Sequence, residues 1–307
     1  MKKEVYINPL TDFGFKRIFG EERNKALLID FLNEIIEEER KIVDIEYQPT
    51  EQTGIWDKGR KAVFDIFCKN DRDEFFIVEM QKVRQDFFME RSLFYSSFAI
   101  QKQAFKGAWD FNLKAVYTVA VLDFKLFEKE ADNLDFCVER IHLVRERTGE
   151  KYSNKLNLIF IELPKFQKML HELATNFERW LYCLKNLPEL ESQPEEVKGA
   201  IFDELFQEAR INQLTEQDME TYRKSVLEYA DVQSAIRYAH KTSYTEGINT
   251  GRVEGMNLGI TVGVEQGRNM EKIAIIKNLL ALHIPMNDIA LIVEMSPEQV
   301  KAVAAEK

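Results

Sequence analysis

Between residues 42 and 81 the chain sets three short runs with the alternation of β-strands, and helical stretches bracket them on both sides. Ile42 to Gln48 (IVDIEYQ) alternates and stops at Pro49, Lys61 to Lys69 (KAVFDIFCK) alternates again, and Asp73 to Gln81 (DEFFIVEMQ) is rich in aromatic and β-branched residues. The link TEQTGIWDKGR, with Gly54 and Gly59, suits a long hairpin loop, and Asn70-Asp71-Arg72 suits a tight turn. Strands joined this way form an antiparallel meander. Before it, residues 24 to 39 place Leu27, Leu28, Phe31, Leu32, Ile35 and Ile36 at steps of three and four, one face of a helix. After it, a long helix is expected from about Arg84 to Phe105, carrying Phe87, Phe88, Leu93, Phe94 and Phe98. Strand-like runs follow at Leu113 to Phe124, Leu134 to Val144 and Leu156 to Leu163. A long helix returning to a further strand permits a parallel crossover. The expected fold is therefore α/β: helix, three-strand meander, helix, strand, with helices packed on a mixed sheet.

From Pro164 onward the pattern turns helical, interrupted at Pro188 and Pro194. Three regions are expected: an α/β domain over 1–163, a helical region over 164–245, and a glycine-spaced helix with a short helical tail over 246–307. The formal net charge is -10, which argues against a passive nucleic-acid coat but not against an enzyme that meets nucleic acid through a local patch. Residues 1–112 hold only a small part of that excess. No apolar run is long enough to span a membrane, and the N-terminus MKKEVYINPLTDFGF lacks the apolar segment of a secretory signal. The three cysteines, Cys68, Cys137 and Cys183, are scattered without CxxC spacing, as reduced thiols of a cytoplasmic protein are. The four histidines make no ligand pairs, so a structural zinc site is not expected.

The chemistry-bearing residues sit on the strands. Residues two apart on a strand share a face, so Ile77, Glu79 and Gln81 point one way and Val78 and Met80 the other. Asp65 lies near the end of the preceding strand of the meander. Two carboxylates inside an apolar sheet call for a compensating cation, and a hard divalent ion such as Mg²⁺ or Mn²⁺ binds through one or two carboxylates plus substrate phosphates. Asp65 and Glu79 are the expected ligands, and Gln81 is placed to orient a water or hydrogen-bond a phosphate. The competing reading is an ordinary solvated or salt-bridged pair, with Lys61, Lys69 and Lys82 as candidate partners.

Five blocks, TDFGFKRIFG (11–20), LLIDFLNEII (27–36), VFDIFCK (63–69), FFIVEMQ (75–81) and FMERSLFYSS (88–97), stand in an order that resembles the PD-(D/E)XK nuclease superfamily. More narrowly, the chain resembles the Rpn family of recombination-promoting nucleases and transposases. The resemblance implies a restriction-endonuclease-like core, DNA as substrate, and phosphodiester hydrolysis in recombination or transposition. It gives Asp65 the role of the motif Asp, Glu79 the second acidic position and Gln81 the place of the motif Lys. Asp12 matches the family's N-terminal acid, and Lys16 the basic residue four beyond it. Two departures stand out: Phe64 rather than Pro precedes Asp65, and uncharged Gln81 leaves a Lys-type charge to the metal, Lys16 or Lys82. A family member that binds nucleic acid or protein without cleaving it is the alternative.

Asp12 is also a candidate helix cap. Glu34 is better read as part of a solvated acidic face with Glu37, Glu38 and Glu39 than as a ligand. Arg91 and Tyr95 share a helix face, suited either to phosphate contact or to bracing the site. The loop with Trp56, Lys58, Arg60 and Lys61 suits base stacking as well as it suits plain solvation. Gly247, Gly251, Gly255, Gly259, Gly263 and Gly267 recur every fourth residue, which in a helix forms one drifting ridge. Each mid-helix Gly costs about 1 kcal/mol against Ala, a cost that close packing against a second copy would offset, so homo-oligomerisation through this helix is expected. At the tail, Ser296-Pro297-Glu298-Gln299 is a helix start with Ser as cap and Gln three residues later.

Overall fold

The computed structural model describes residues 4–36, 41–52, 61–104, 110–127 and 137–305. The basic-aromatic loop with Trp56, Lys58 and Arg60 lies outside the described residues. The chain divides into two compact units, Met1–Ser234 and Ala235–Lys307.

In the first unit, helices α1 (Asp12–Phe19) and α2 (Lys25–Ile35) precede strands β1 (Ile45–Tyr47), β2 (Glu51–Gln52), β3 (Ala62–Val63), β4 (Ile66–Asn70) and β5 (Phe75–Gln81). Helix α3 (Phe88–Gln101) leads to β6 (Val116–Leu122), β7 (Val138–Val144) and β8 (Lys151–Glu162). The main sheet has the order β1-β4-β5-β6-β8-β7, while β2 and β3 form a separate two-stranded ribbon. β1, β4 and β5 make the expected antiparallel meander. β6 joins β5 in parallel after α3, β8 joins β6 in parallel, and β7 pairs antiparallel with β8. This is the helix, three-strand, helix, strand order on a mixed sheet.

The second strand run departs from expectation. It breaks at Phe64 and Asp65 into β3 and β4. At the break the backbone N–H of Asp65 donates to the Glu79 carboxylate, and the N–H of Met80 donates to the Asp65 carboxylate. Side-chain oxygens thus take backbone donors that a continuous ladder would have used.

One sheet face buries Ile66, Cys68, Phe76, Val78, Met80, Val119 and Ile161 against α1 and α2, and against helices α4 (Asn176–Asn186) and α5 (Ala200–Glu208). Trp180 of α4 is fully buried there, its ring 5.6 Å from those of both Phe19 and Phe31, and its Nε1 donates to Asp30 at 2.7 Å. The other face buries Phe67, Phe75, Ile77 and Val116 against α3. Helix α3 starts at Phe88 rather than near Arg84, because Phe87 stands just ahead of it in the left-handed region at φ 60°. Cys68, Cys137 and Cys183 are buried and free.

Helix α6 (Glu216–Ala281) runs unbroken through the glycine series and the apolar stretch after it, where sequence periodicity suggests separate pieces. A Cβ built on any of the six glycines meets nothing within 4 Å. In the second unit, α7 (Met286–Val293) and α8 (Pro297–Ala305) close a small core of Ile276, Ile289, Val293 and Val300. The expected cap of α8 is present: Ser296 Oγ accepts from the N–H of Gln299, whose side chain accepts from the N–H of Ser296. Among the described residues no helix is long and apolar enough to cross a membrane.

Candidate active site

The antiparallel register of β4 and β5 pairs Ile66 with Val78, which sets Asp65, one residue before, opposite Glu79, one residue after. Glu79 and Gln81 follow Phe75 and Ile77 along the α3 face, as strand alternation predicts. The cross-strand exchange then fixes both acids. Asp65 Oδ2 accepts from Met80 N at 2.8 Å, and Glu79 Oε1 accepts from Asp65 N at 3.3 Å. Gln81 Nε2 donates to Glu79 Oε2 at 3.1 Å.

Burial governs the electrostatics. Glu79 is 5% exposed, and its carboxyl is pushed up from 4.5 to about 8, first by loss of water and then by the charge of Asp65. Asp65 is also raised, mainly by burial, against the stabilising N–H of Met80 and the positive charge of Lys16. Two acids that cannot comfortably ionise together share their protons as a pair. Their cationic neighbour is Arg91 of α3, whose Nη2 lies 3.6 Å from Glu79 Oε2 and whose guanidinium stacks 5.2 Å from the Tyr95 ring. Tyr95 in turn packs edge-on against Phe64. The lysines expected as partners are engaged elsewhere: Lys61 with Glu51, Lys69 with Asp73 and Glu46, and Lys82 over the ring of Tyr229. Sequence spacing favours lysines on the strands themselves, whereas the contact comes from a helix that crosses the sheet.

Asp12 does not cap α1. The cap is Thr11, fully buried, whose Oγ1 accepts from Gly14 N at 3.0 Å and donates to Asn8 O at 2.7 Å. Asp12 occupies the first turn, half-exposed and paired with Lys16 at 2.8 Å, and the charges of both residues act on Asp65. The structure thus gathers Asp65, Glu79 and Gln81 tightly, with Arg91 beside them and Asp12 and Lys16 at the rim. Glu34 is half-buried on α2 and does not figure among the charges acting on either acid.

Sequence reasoning passed over Asp123. Its N–H donates to Gln81 O at 2.9 Å, and its carboxylate accepts from Tyr229 at 2.8 Å and Gln233 at 3.0 Å. It ties the end of β6, beside Gln81, to α6 at Tyr229 and Gln233. An acid at the C-terminal end of a strand was the available signal, but its partners lie more than a hundred residues away.

Among the described residues no group of three or more His, Cys, Asp or Glu converges on one point. The Asp65–Glu79 pair offers two hard oxygen donors, a set that suits Mg²⁺ or Mn²⁺ completed by water and phosphate and that does not suit zinc. The raised proton affinity of both carboxyls marks a place where added positive charge is welcome.

The model of the family described as PD-(D/E)XK nuclease family transposase matches residues 9–239, most of the chain and nearly all of the first unit. Searches of curated proteins and of solved structures gave no match.

Proposed function

Because the chain belongs to the PD-(D/E)XK nuclease family transposases, we propose that it is a metal-dependent DNA endonuclease that hydrolyses phosphodiester bonds in a recombination or transposition setting in the cytoplasm. The observation that carries this reading is the close pair of buried Glu79 and half-buried Asp65, in which Asp65 N donates to the Glu79 carboxylate and Met80 N to the Asp65 carboxylate, and whose carboxyls hold protons more tightly than their ordinary values. A pair of this kind gains from an added cation.

Asp65 and Glu79 are the residues that would hold Mg²⁺ or Mn²⁺. The ion, when bound, polarises a phosphoryl oxygen and makes a water a stronger nucleophile. The chain's own residues do the rest. Met80 N fixes the Asp65 carboxylate at the break between β3 and β4, and Gln81, buried beside Glu79, orients the attacking water or the phosphate through its amide. Arg91 brings positive charge to the oxygens of the pair and, braced on Tyr95, to the phosphate approaching them. Asp12 and Lys16, joined to each other, adjust the field at Asp65 from the rim.

We further propose that copies associate along the glycine face of α6. The support is an open ridge of six glycines with Ile248, Met256, Ile260 and Val264 exposed at the adjoining positions. Bare backbone on a helix invites close approach by another helix.

The test is incubation of the full chain with supercoiled plasmid and Mg²⁺, repeated with EDTA and with Asp65→Ala. The expected result is nicking that both treatments abolish. Nicking that survives either one would refute the proposed site. DNA binding without any cleavage would favour a non-cleaving family member.

A further inference from the structure

Beside the carboxylate pair, the turn before α3 and the first turns of α3 line a half-open pocket of about 520 Å³ formed by Gln85, Asp86, Phe87, Glu90, Arg91, Phe94 and Tyr95. That size falls in the range of small-ligand sites, about 300–1,000 Å³. Arg91 belongs to both places: it lines the pocket and lies 3.6 Å from Glu79. An occupant of the pocket would therefore stand next to a phosphate held at the proposed metal site.

The lining narrows what that occupant is. Three aromatic rings offer flat apolar surface, and two of them are held out to solvent, Phe87 at 76% exposure and Phe94 at 43%. Phe87 adopts φ 60°, ψ 28°, a left-handed conformation that costs a bulky residue about 1–3 kcal/mol. The fold thus spends backbone energy to present a ring at the mouth of the site. A phosphate is a poor fit, because Asp86 and Glu90 would repel it. A nucleobase fits on every count. Its uncharged face stacks on the rings, its exocyclic amino group donates to a carboxylate, and its ring nitrogen or carbonyl accepts from Arg91 or Gln85.

We infer that this pocket receives a nucleobase turned out of its stack, so that the DNA substrate carries an unpaired base beside the scissile phosphate. The inference rests on the nuclease reading above and names its substrate class. Turning a base out costs a few kcal/mol in a paired duplex and least where the base is already unpaired, so bulged, mismatched or single-stranded DNA is preferred over a perfect duplex.

The experiment uses the full chain, Ca²⁺ in place of Mg²⁺ to hold the complex uncleaved, and two DNA probes with 2-aminopurine at the same position, bulged in one and paired in the other. Anisotropy of a distant dye reports binding, and 2-aminopurine fluorescence reports stacking. The bulged probe is expected to bind more tightly and to be quenched on binding. Phe94→Ala is expected to lower the ratio of the two affinities between about five- and a hundred-fold, the range of one base–aromatic stack. Phe87→Gly removes a ring while relieving the left-handed strain, so a lowered ratio in a fully folded variant separates stacking from fold damage. Equal affinities, or an unquenched base in the bound complex, would overturn the pocket while Mg²⁺-dependent nicking left the nuclease reading standing. Absence of binding to either probe would overturn both. Quenching unchanged by either substitution would assign the pocket to another partner, such as a peptide, and reject the inference.

Discussion

Replacing Glu79 by Gln separates what the site costs from what it does. Glutamine keeps the shape of a protonated glutamate and never ionises. Its Oε1 still accepts from Asp65 N, and the Gln81 amide has only to rotate to present its oxygen in place of its nitrogen. In the folded, metal-free chain the Glu79 carboxyl sits near 8 against 4.5 when unfolded. A value raised by folding contributes stability that is fully present below the unfolded value and is lost as pH climbs to the folded one. The unfolded chain has released this proton by about pH 5.5 while the folded chain retains it. Stability from this group therefore falls by about 1.4 kcal/mol for each pH unit across that window. The whole window comes to about 5 kcal/mol as a ceiling, since Asp65 shares the titration.

Urea unfolding in EDTA at pH 5, 6, 7 and 8 measures this directly. Glu79→Gln should match the parent near pH 5 and exceed it by several kcal/mol at pH 8. Mg²⁺ should then stabilise the parent more at pH 8 than at pH 6, because binding must displace the proton. It should leave the variant unchanged, and the variant should nick no DNA. Parallel pH profiles for the two proteins would refute the reasoning, since they would mean that Glu79 is already ionised in the folded chain.

Four further outcomes follow from the packing. Thr11→Ala removes the buried cap of α1 and should cost about 1–2 kcal/mol by chemical denaturation, whereas Gly14→Ala places a Cβ 2.0 Å from Asn8 O and should prevent folding or lower the melting temperature far more. Lys165→Met strands Glu162, fully buried with it in a 2.9 Å ion pair, and should cost about 3–5 kcal/mol, measured the same way. Alanine at Gly251, Gly255 and Gly259 should strengthen an isolated helix by about 1 kcal/mol each yet weaken self-association seen by light scattering; unchanged assembly would show that the glycine ridge is not the contact.

How far sequence carries depends on the range of the interaction. The strands of the meander are legible because alternation is local, and the α8 cap because its three groups lie within four residues. The break at Phe64 and Asp65 is not legible, since it arises from carboxylates bonding across two strands, with Met80 and Glu79 fourteen or fifteen residues away. Trp180 gives no local sign that it packs on Phe19 and Phe31, and the helical region after residue 163 shares the core of α1 and α2 for that reason. Phe87 reads as helix by periodicity, but its φ of 60° ends the pattern one residue before α3. In the site, strand alternation predicts that Glu79 and Gln81 share a face. Helix spacing singles out Arg91 and Tyr95 as sharing a face, but not that Arg91 reaches Glu79, because the register of a helix over a sheet is a property of the packed whole.

The carboxylate pair makes little sense as a device for stability. The strands around it are filled with Phe67, Phe75, Ile77 and Val116, and an apolar residue at position 79 would hold the same sheet without the cost of desolvation. Instead the fold sets a half-buried Asp65 beside a buried Glu79, gives up regular pairing at Asp65 to orient them, and supplies the Arg91 guanidinium at 3.6 Å, which does not offset the rise of either acid. An arrangement that weakens the protein in this way is what the proposed cation would account for. The proposed metal role also bears on the acidic balance of the chain: a divalent ion, were it held by Asp65 and Glu79, would offset their negative charge where a phosphate would enter.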